Sequence, residues 1–195
     1  YPKASISRRN TGYAVDALMN TSPFEAASDA FNFSKLICGS EGTLAFITEL
    51  KLQIVPLPKP FQVVLNAHFS TINESLQATL VAMKMSPTAC ELMDKTILDC
   101  TKDNITQQKN RFFVEGDPEA ILMIEFRGDS IEAAKEKAND LELSLTKLNL
   151  GYAYRLVEGA DCEKVWDLRK AGLGLLANIP GDAKAVACIE DTAVA

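Results

Sequence analysis

Three prolines in five residues, Pro56-Leu57-Pro58-Lys59-Pro60, constrain this 195-residue chain more than any other feature. Proline offers no N–H to a strand ladder and fixes its own φ, so a sheet reaching this run must stop. The run predicts a boundary, with residues 1–58 in one unit and 59–195 in another. The length suits one domain, or one domain with a piece of a second.

Before the boundary, Ser22-Pro23-Phe24-Glu25 predicts a helix start. Ser22 serves as N-cap, Pro23 as first helical residue, and Glu25 closes a capping box. A short apolar helix end then runs into Gly39-Ser40-Glu41-Gly42, and the β-branched run from Thr43 to Val55 predicts a strand. Helix, glycine turn, strand is the reverse of the order in phosphate and dinucleotide loops. Such a turn can still hold an anion on successive backbone N–H groups, and glycine admits close approach to the main chain. The plain alternative is a helix ending with Gly39 at C′.

After the boundary, strands alternate with helices. Gln62–Phe69 alternates, with Val63, Leu65, Ala67 and Phe69 on one face and His68 on a polar face that we expect to be partly exposed. Thr71-Ile72-Asn73-Glu74 is a capping box opening a helix to about Met85. Thr88–Met93 and Ala120–Arg127 predict strands, and residues 94–103 a helix. Ile105–Asp117 is polar and predicts a loop. Asp129-Ser130-Ile131-Glu132 opens a helix whose apolar residues Ile131, Ala134, Ala138, Leu141, Leu145 and Leu148 form one stripe. Tyr152–Val157 predicts the next strand, and Asp161 to about Asn178 a last long helix. The pattern predicts an α+β fold, a ferredoxin-like antiparallel sheet with helices on one face.

Composition narrows the function. A formal charge of −6 with scattered Lys and Arg argues against a nucleic-acid surface, and no apolar run approaches the ~20 residues of a membrane helix. The five cysteines, Cys38, Cys90, Cys100, Cys162 and Cys188, include no CxxC pair, so no metal site is expected. Apolar or helical neighbours suit buried reduced thiols and a cytoplasmic protein.

Two strings carry a resemblance. Asn10-Thr11-Gly12-Tyr13-Ala14-Val15-Asp16-Ala17-Leu18 followed by Gly39-Ser40-Glu41-Gly42-Thr43-Leu44-Ala45-Phe46-Ile47-Thr48-Glu49 resembles the closing part of the flavin domain in FAD-linked oxidases. Trp166-Asp167-Leu168-Arg169 and Glu190-Asp191-Thr192-Ala193-Val194 resemble the substrate domain of the same vanillyl-alcohol-oxidase-like flavoproteins. The branch resembled oxidises D-2-hydroxy acids such as D-lactate, glycolate and D-2-hydroxyglutarate.

That resemblance implies FAD as cofactor and the C-terminal part of a FAD-binding domain in residues 1–58. For residues 59–195 it implies a substrate-binding cap domain, truncated at its C-terminus. It also implies an upstream pyrophosphate loop and a downstream histidine- and asparagine-bearing segment, so the chain is expected to be an internal fragment, inactive alone. The implied partners are a small 2-hydroxy acid and a separate electron acceptor, with room for an iron–sulfur domain elsewhere on the parent polypeptide. A ferredoxin-like ligand-binding or regulatory module without catalysis is the alternative, but it leaves the flavin-domain strings unexplained.

The resemblance assigns Asn10, Thr11, Gly12, Gly39, Ser40, Glu41, Gly42, Thr43 and Ile47 to FAD. Glu41 either bonds within its own turn or helps to position the isoalloxazine. Arg169 is assigned to the substrate carboxylate, which a planar guanidinium grips bidentately; Trp166, one turn earlier, would pack beneath its stem. The plain reading pairs Arg169 with Asp161 or Glu163 on its own helix. Four residues on, where relatives place a hydroxyl, this chain has Leu173, which leaves the particular hydroxy acid open.

Overall fold

The computed structural model describes residues 12–19, 31–179 and 181–184, with 3, 5, 6, 21 and 186 besides. The expected helix start at Ser22–Glu25 lies outside these. The chain divides into two compact units, one built on residues up to Val55 and the other running from Pro56 to Ala185.

In the first unit, Val15–Leu18 forms a single 3-10 turn and α1 (Ser34–Ile37) one turn of α-helix. The strand expected over 43–55 does not form: residues 45–55 carry no ladder among the described residues, and Phe46 and Ile54 are exposed. β-propensity is realised by packing against a paired neighbour. Nothing described pairs with this run, so its β-branched residues remain a pattern without a sheet.

The second unit is a four-stranded sheet. Its strands are β1 (Phe61–Phe69), β2 (Ala89–Asp94), β3 (Ala120–Gly128) and β4 (Ala153–Glu158), in spatial order β2-β3-β1-β4 with every pairing antiparallel. This is the ferredoxin-like order. Between the strands lie α2 (Ile72–Met83), the short α3 (Lys95–Cys100) and α4 (Ile105–Gln108), and the long α5 (Ile131–Lys147); α6 (Asp161–Ala177) follows β4.

Local chemistry sets the helix ends. Thr71 Oγ1 accepts from Glu74 N–H at 3.2 Å while Glu74 Oε2 accepts from Thr71 N–H at 3.1 Å, which closes the expected capping box. Ser130 Oγ accepts from Ala133 N–H at 3.1 Å and opens α5. The stretch expected as loop over 105–117 is partly helical, because Asn104 Oδ1 caps α4 by accepting from Gln107 N–H at 3.0 Å.

Helices α2 and α5 cover one face of the sheet. Val63, Leu65, Ala67 and Phe69 meet Ala78 and Ala82 of α2 and Ala134, Ala138, Leu141 and Leu145 of α5. A second layer, beyond the one expected, covers the opposite face. There Val64, Ile121, Met123 and Val157 pack with Leu98, Phe113 and the α6 residues Cys162, Val165 and Leu168. The reason is visible in β3, whose unbroken Ile121-Leu122-Met123-Ile124 suits a strand buried on both sides.

Burial on both faces also corrects the reading of His68, which is fully buried. Its Nδ1–H donates to Ala153 O at 3.3 Å, because Nε2 accepts from Glu115 N–H at 3.1 Å. Burial lowers its pKa. His68 therefore ties β1 to β4 and to the loop at Glu115, a structural role.

Candidate functional site

Two places carry the expected site residues, one in each unit. In the first, the backbone brings the two glycine strings together. A Cβ added at Gly39 would lie 2.9 Å from Gly12 O, so glycine is required there by close approach of the chain. Tyr13 OH lies 2.6 Å from Thr43 Oγ1. Gly39 follows the helix cap at Cys38, but the left-handed residues are Glu41 (φ 49°) and Gly42 (φ 76°).

The turn closes on itself. Ser40 Oγ donates to Ile37 O at 2.9 Å, Thr43 Oγ1 donates to Ser40 O at 2.6 Å, and Thr43 N–H donates to Ser40 O at 2.9 Å. The Ser40 and Thr43 side chains thus build the turn. Among the described residues no acceptor meets the N–H of Glu41 or Gly42, and a Cβ at Gly42 would meet nothing within 4 Å. Ile47 is exposed. Asn10 and Thr11 lie outside the described residues.

The second place is an open pocket of about 750 Å³ between the sheet and α6. Helix α6 buries Val165 and Leu168 against the sheet, and helical spacing sets Trp166 and Arg169 at its side facing β2 and β3. Trp166 Nε1–H donates to Glu125 Oε2 at 3.1 Å, and Glu125 Oε1 accepts from Arg127 Nε–H at 2.7 Å. The Arg127 guanidinium also donates to Gln62 Oε1 and, at 3.1 Å, to Lys59 O. Glu125 is a buried carboxylate, held on one oxygen by a guanidinium and on the other by an indole. The arrangement fastens α6 to the sheet one turn ahead of Arg169.

Arg169 pairs with neither Asp161 nor Glu163. Its Nη2–H donates to Glu91 Oε2 on β2 at 3.2 Å, and its Nε is buried without a partner. The Arg169 side chain is 36% exposed and that of Glu91 47% exposed, and both line the pocket, so the pair is weakly held. Besides Arg127 and Arg169, Lys170 contributes positive charge to the lining. Glu163 and Asp167 add to the carboxylates of Glu91 and Glu125.

Sequence reasoning singled out Arg169 but not Glu91, Glu125, Arg127 or Gln62, which line the same pocket. A signal for two of these was present: Glu125 and Arg127 interrupt an apolar strand run, and a charge in such a run requires a partner. Glu91 has no comparable signal, because its partner lies 78 positions away along the chain.

Neither Cys90 nor Cys162 is an activated thiol. Burial pushes the Cys90 and Cys162 thiols up to about 11, which keeps both protonated near neutral pH. Cys38, Cys90, Cys100 and Cys162 are all free, and Cys38 is exposed, contrary to the expectation of uniformly buried thiols; it caps a one-turn helix. Among the described residues no cluster suits a metal ion, and no helix is long and apolar enough to cross a membrane.

Comparison with known proteins gives the pocket a setting. Residues 58–195 match the family described as FAD linked oxidases, C-terminal domain. The whole chain is similar to the D-2-hydroxyglutarate dehydrogenase of Pantoea ananatis, with 29% identity over 204 residues, and to that of Pseudomonas putida, with 29% over 203. Over 161 residues, 81% of the chain, it is 26% identical to a mitochondrial D-lactate dehydrogenase [cytochrome] of Arabidopsis thaliana. The chain spans 19% of the length of the two bacterial relatives and 27% of the plant one.

Proposed function

The chain belongs to the FAD-linked oxidases through their C-terminal domain, and on that premise we propose that it serves a flavoenzyme oxidising a D-2-hydroxy acid to the 2-oxo acid. The observation that carries this reading is Arg169, a guanidinium facing an open pocket with a half-exposed partner and an unpartnered Nε. A 2-hydroxy acid presents one carboxylate beside the carbon to be oxidised, and a planar fork fixes both its position and its orientation. Trp166, Glu125 and Arg127 hold α6 in place, which keeps that fork at a set distance from the sheet.

The residues of the glycine turn suit a dinucleotide. Glu41 and Gly42 have positive φ, their N–H groups meet no acceptor among the described residues, and space is open where a Cβ at Gly42 would stand; we assign this turn, with Asn10, Thr11, Gly12 and Ile47, to FAD. Gly39, Ser40 and Thr43 act by building the turn. When bound, the flavin supplies the redox chemistry, taking the hydride from the 2-carbon. This chain's own part is to grip the carboxylate at Arg169, to orient the substrate, and to present an open backbone to the cofactor.

A separate acceptor would take the electrons, and an iron–sulfur domain elsewhere on the polypeptide is one candidate for it. Free cysteines support a cytoplasmic location. Incubating the complete polypeptide anaerobically with D-lactate, glycolate and D-2-hydroxyglutarate tests the activity. Bleaching of bound flavin by at least one of these is expected; flavin that none reduces would overturn the proposal.

A further inference from the structure

A carboxylate is gripped best across two parallel N–H donors. On the Nε–Nη2 edge of Arg169, Glu91 Oε2 holds Nη2 at 3.2 Å while Nε is enclosed without a partner. The internal carboxylate therefore makes half of a bidentate contact. A substrate carboxylate seeking that edge has to displace Glu91, and the half-exposed pairing is weak enough to yield.

The charge around this contact adds a second constraint. Arg127 and Glu125 are each other's partners. The remaining charged groups of the lining are Arg169 and Lys170 against Glu91, Glu163 and Asp167. A substrate with one carboxylate brings a single negative charge, which Arg169 answers. A second carboxylate in the same pocket meets an excess of negative charge.

We infer that Glu91 is a specificity-determining residue: it competes with the substrate carboxylate for Arg169 and selects against 2-hydroxy acids that carry a second carboxylate. The inference rests on the reading of Arg169 as the carboxylate grip. Glu91 acts through charge and takes no part in bond making. Removing its charge frees the donor edge and lifts one repulsion from every carboxylate in the pocket. KM for D-lactate falls a few-fold in Glu91→Gln, and KM for D-2-hydroxyglutarate falls further, by roughly tenfold or more, since like charges at an interface penalise binding strongly. Turnover number changes little for either, because the interaction acts on binding in the ground and transition states alike.

The test is steady-state kinetics of the complete flavoenzyme with both substrates, in the wild type, Glu91→Gln, Glu91→Ala and Arg169→Lys. Flavin content and melting temperature are measured for each. The expected result is a lower KM in both Glu91 variants, with the dicarboxylate gaining more. A KM unchanged or raised for both substrates would make Glu91 a support for Arg169 and overturn the inference. An equal fall for both would remove the selection against dicarboxylates and overturn it too. Arg169→Lys separates the two readings: if it leaves both KM values and both turnover numbers unmoved, the grip and the competition fall together. If it impairs oxidation while the Glu91 variants behave as wild type, the inference about Glu91 alone fails.

Discussion

The indole N–H of Trp166 on α6 donates to the buried carboxylate of Glu125 on β3 across 3.1 Å. Glu125 also accepts from Arg127 at 2.7 Å, so one carboxylate joins a helix to the charged end of a central strand. Its value depends on both oxygens being engaged, because a buried carboxylate lacking partners is costly.

Truncating each end separates these contributions. Trp166→Phe removes one donor but leaves Glu125 with Arg127, and should cost about 1–2 kcal/mol. Glu125→Ala strands both the indole N–H and a guanidinium, and should cost more, roughly 2–4 kcal/mol. Urea denaturation at neutral pH measures both. A Glu125→Ala variant no less stable than Trp166→Phe would show that the carboxylate is not the centre of the network.

His68 predicts a pH dependence. Its Nε2 accepts from Glu115 N–H, a contact that only the unprotonated nitrogen can make, and burial lowers its pKa below 6.5. As pH falls, the unfolded chain takes up this proton before the folded one, so stability is full above 6.5 and declines below it. Melting temperature should fall as pH is lowered from about 6.5 to about 5.5, and that slope should shrink in His68→Gln, whose amide oxygen can still accept. An identical slope in the variant would assign the dependence to other groups.

The long α5 stripe supplies a test of the core. Leu141 is fully buried between α5 and the sheet. Leu141→Asp places an unpaired carboxylate there and should cost several kcal/mol. Thermal unfolding followed by circular dichroism should show a large drop in midpoint or loss of the transition. A variant melting with the parent would mean that this face of α5 meets solvent.

Legibility from sequence followed the range of each signal. The capping box at Thr71–Glu74, the start of α5 at Ser130 and the stripe through Leu141 are local, set within one or two helical turns, and each formed as the residues suggested. The run 43–55 shows the converse: its composition suits a strand, yet pairing is decided by partners far along a chain. His68 was misplaced for a related reason. Alternation in β1 assigned it to a polar face, but Glu115, 47 positions later, closes over it and donates its N–H to Nε2. The pocket was half legible, since Arg169 belongs to a recognisable string, whereas Glu91, 78 positions away, meets it only through the reach of the Arg169 side chain.

The last prediction concerns Arg169 in the complete enzyme. Arg169→Lys keeps the positive charge but replaces a planar fork by a compact ammonium on a flexible stem. The carboxylate would still be attracted, but it would no longer be held in one orientation beside the flavin. Losing a charged hydrogen-bond partner of this kind typically costs roughly 2–5 kcal/mol, which corresponds to a loss of about thirtyfold to several-thousandfold in kcat/KM. Flavin content should be unchanged, because the residue's contacts are confined to Glu91 and the pocket. Melting temperature should move little, since the ion pair it gives up joins two side chains that are 36% and 47% exposed. Kinetics with D-lactate and D-2-hydroxyglutarate, beside flavin absorbance and a melting curve, measure all three quantities. Full activity in a fully flavin-loaded, normally melting variant would leave Arg169 as a surface partner of Glu91 and remove it from the substrate site.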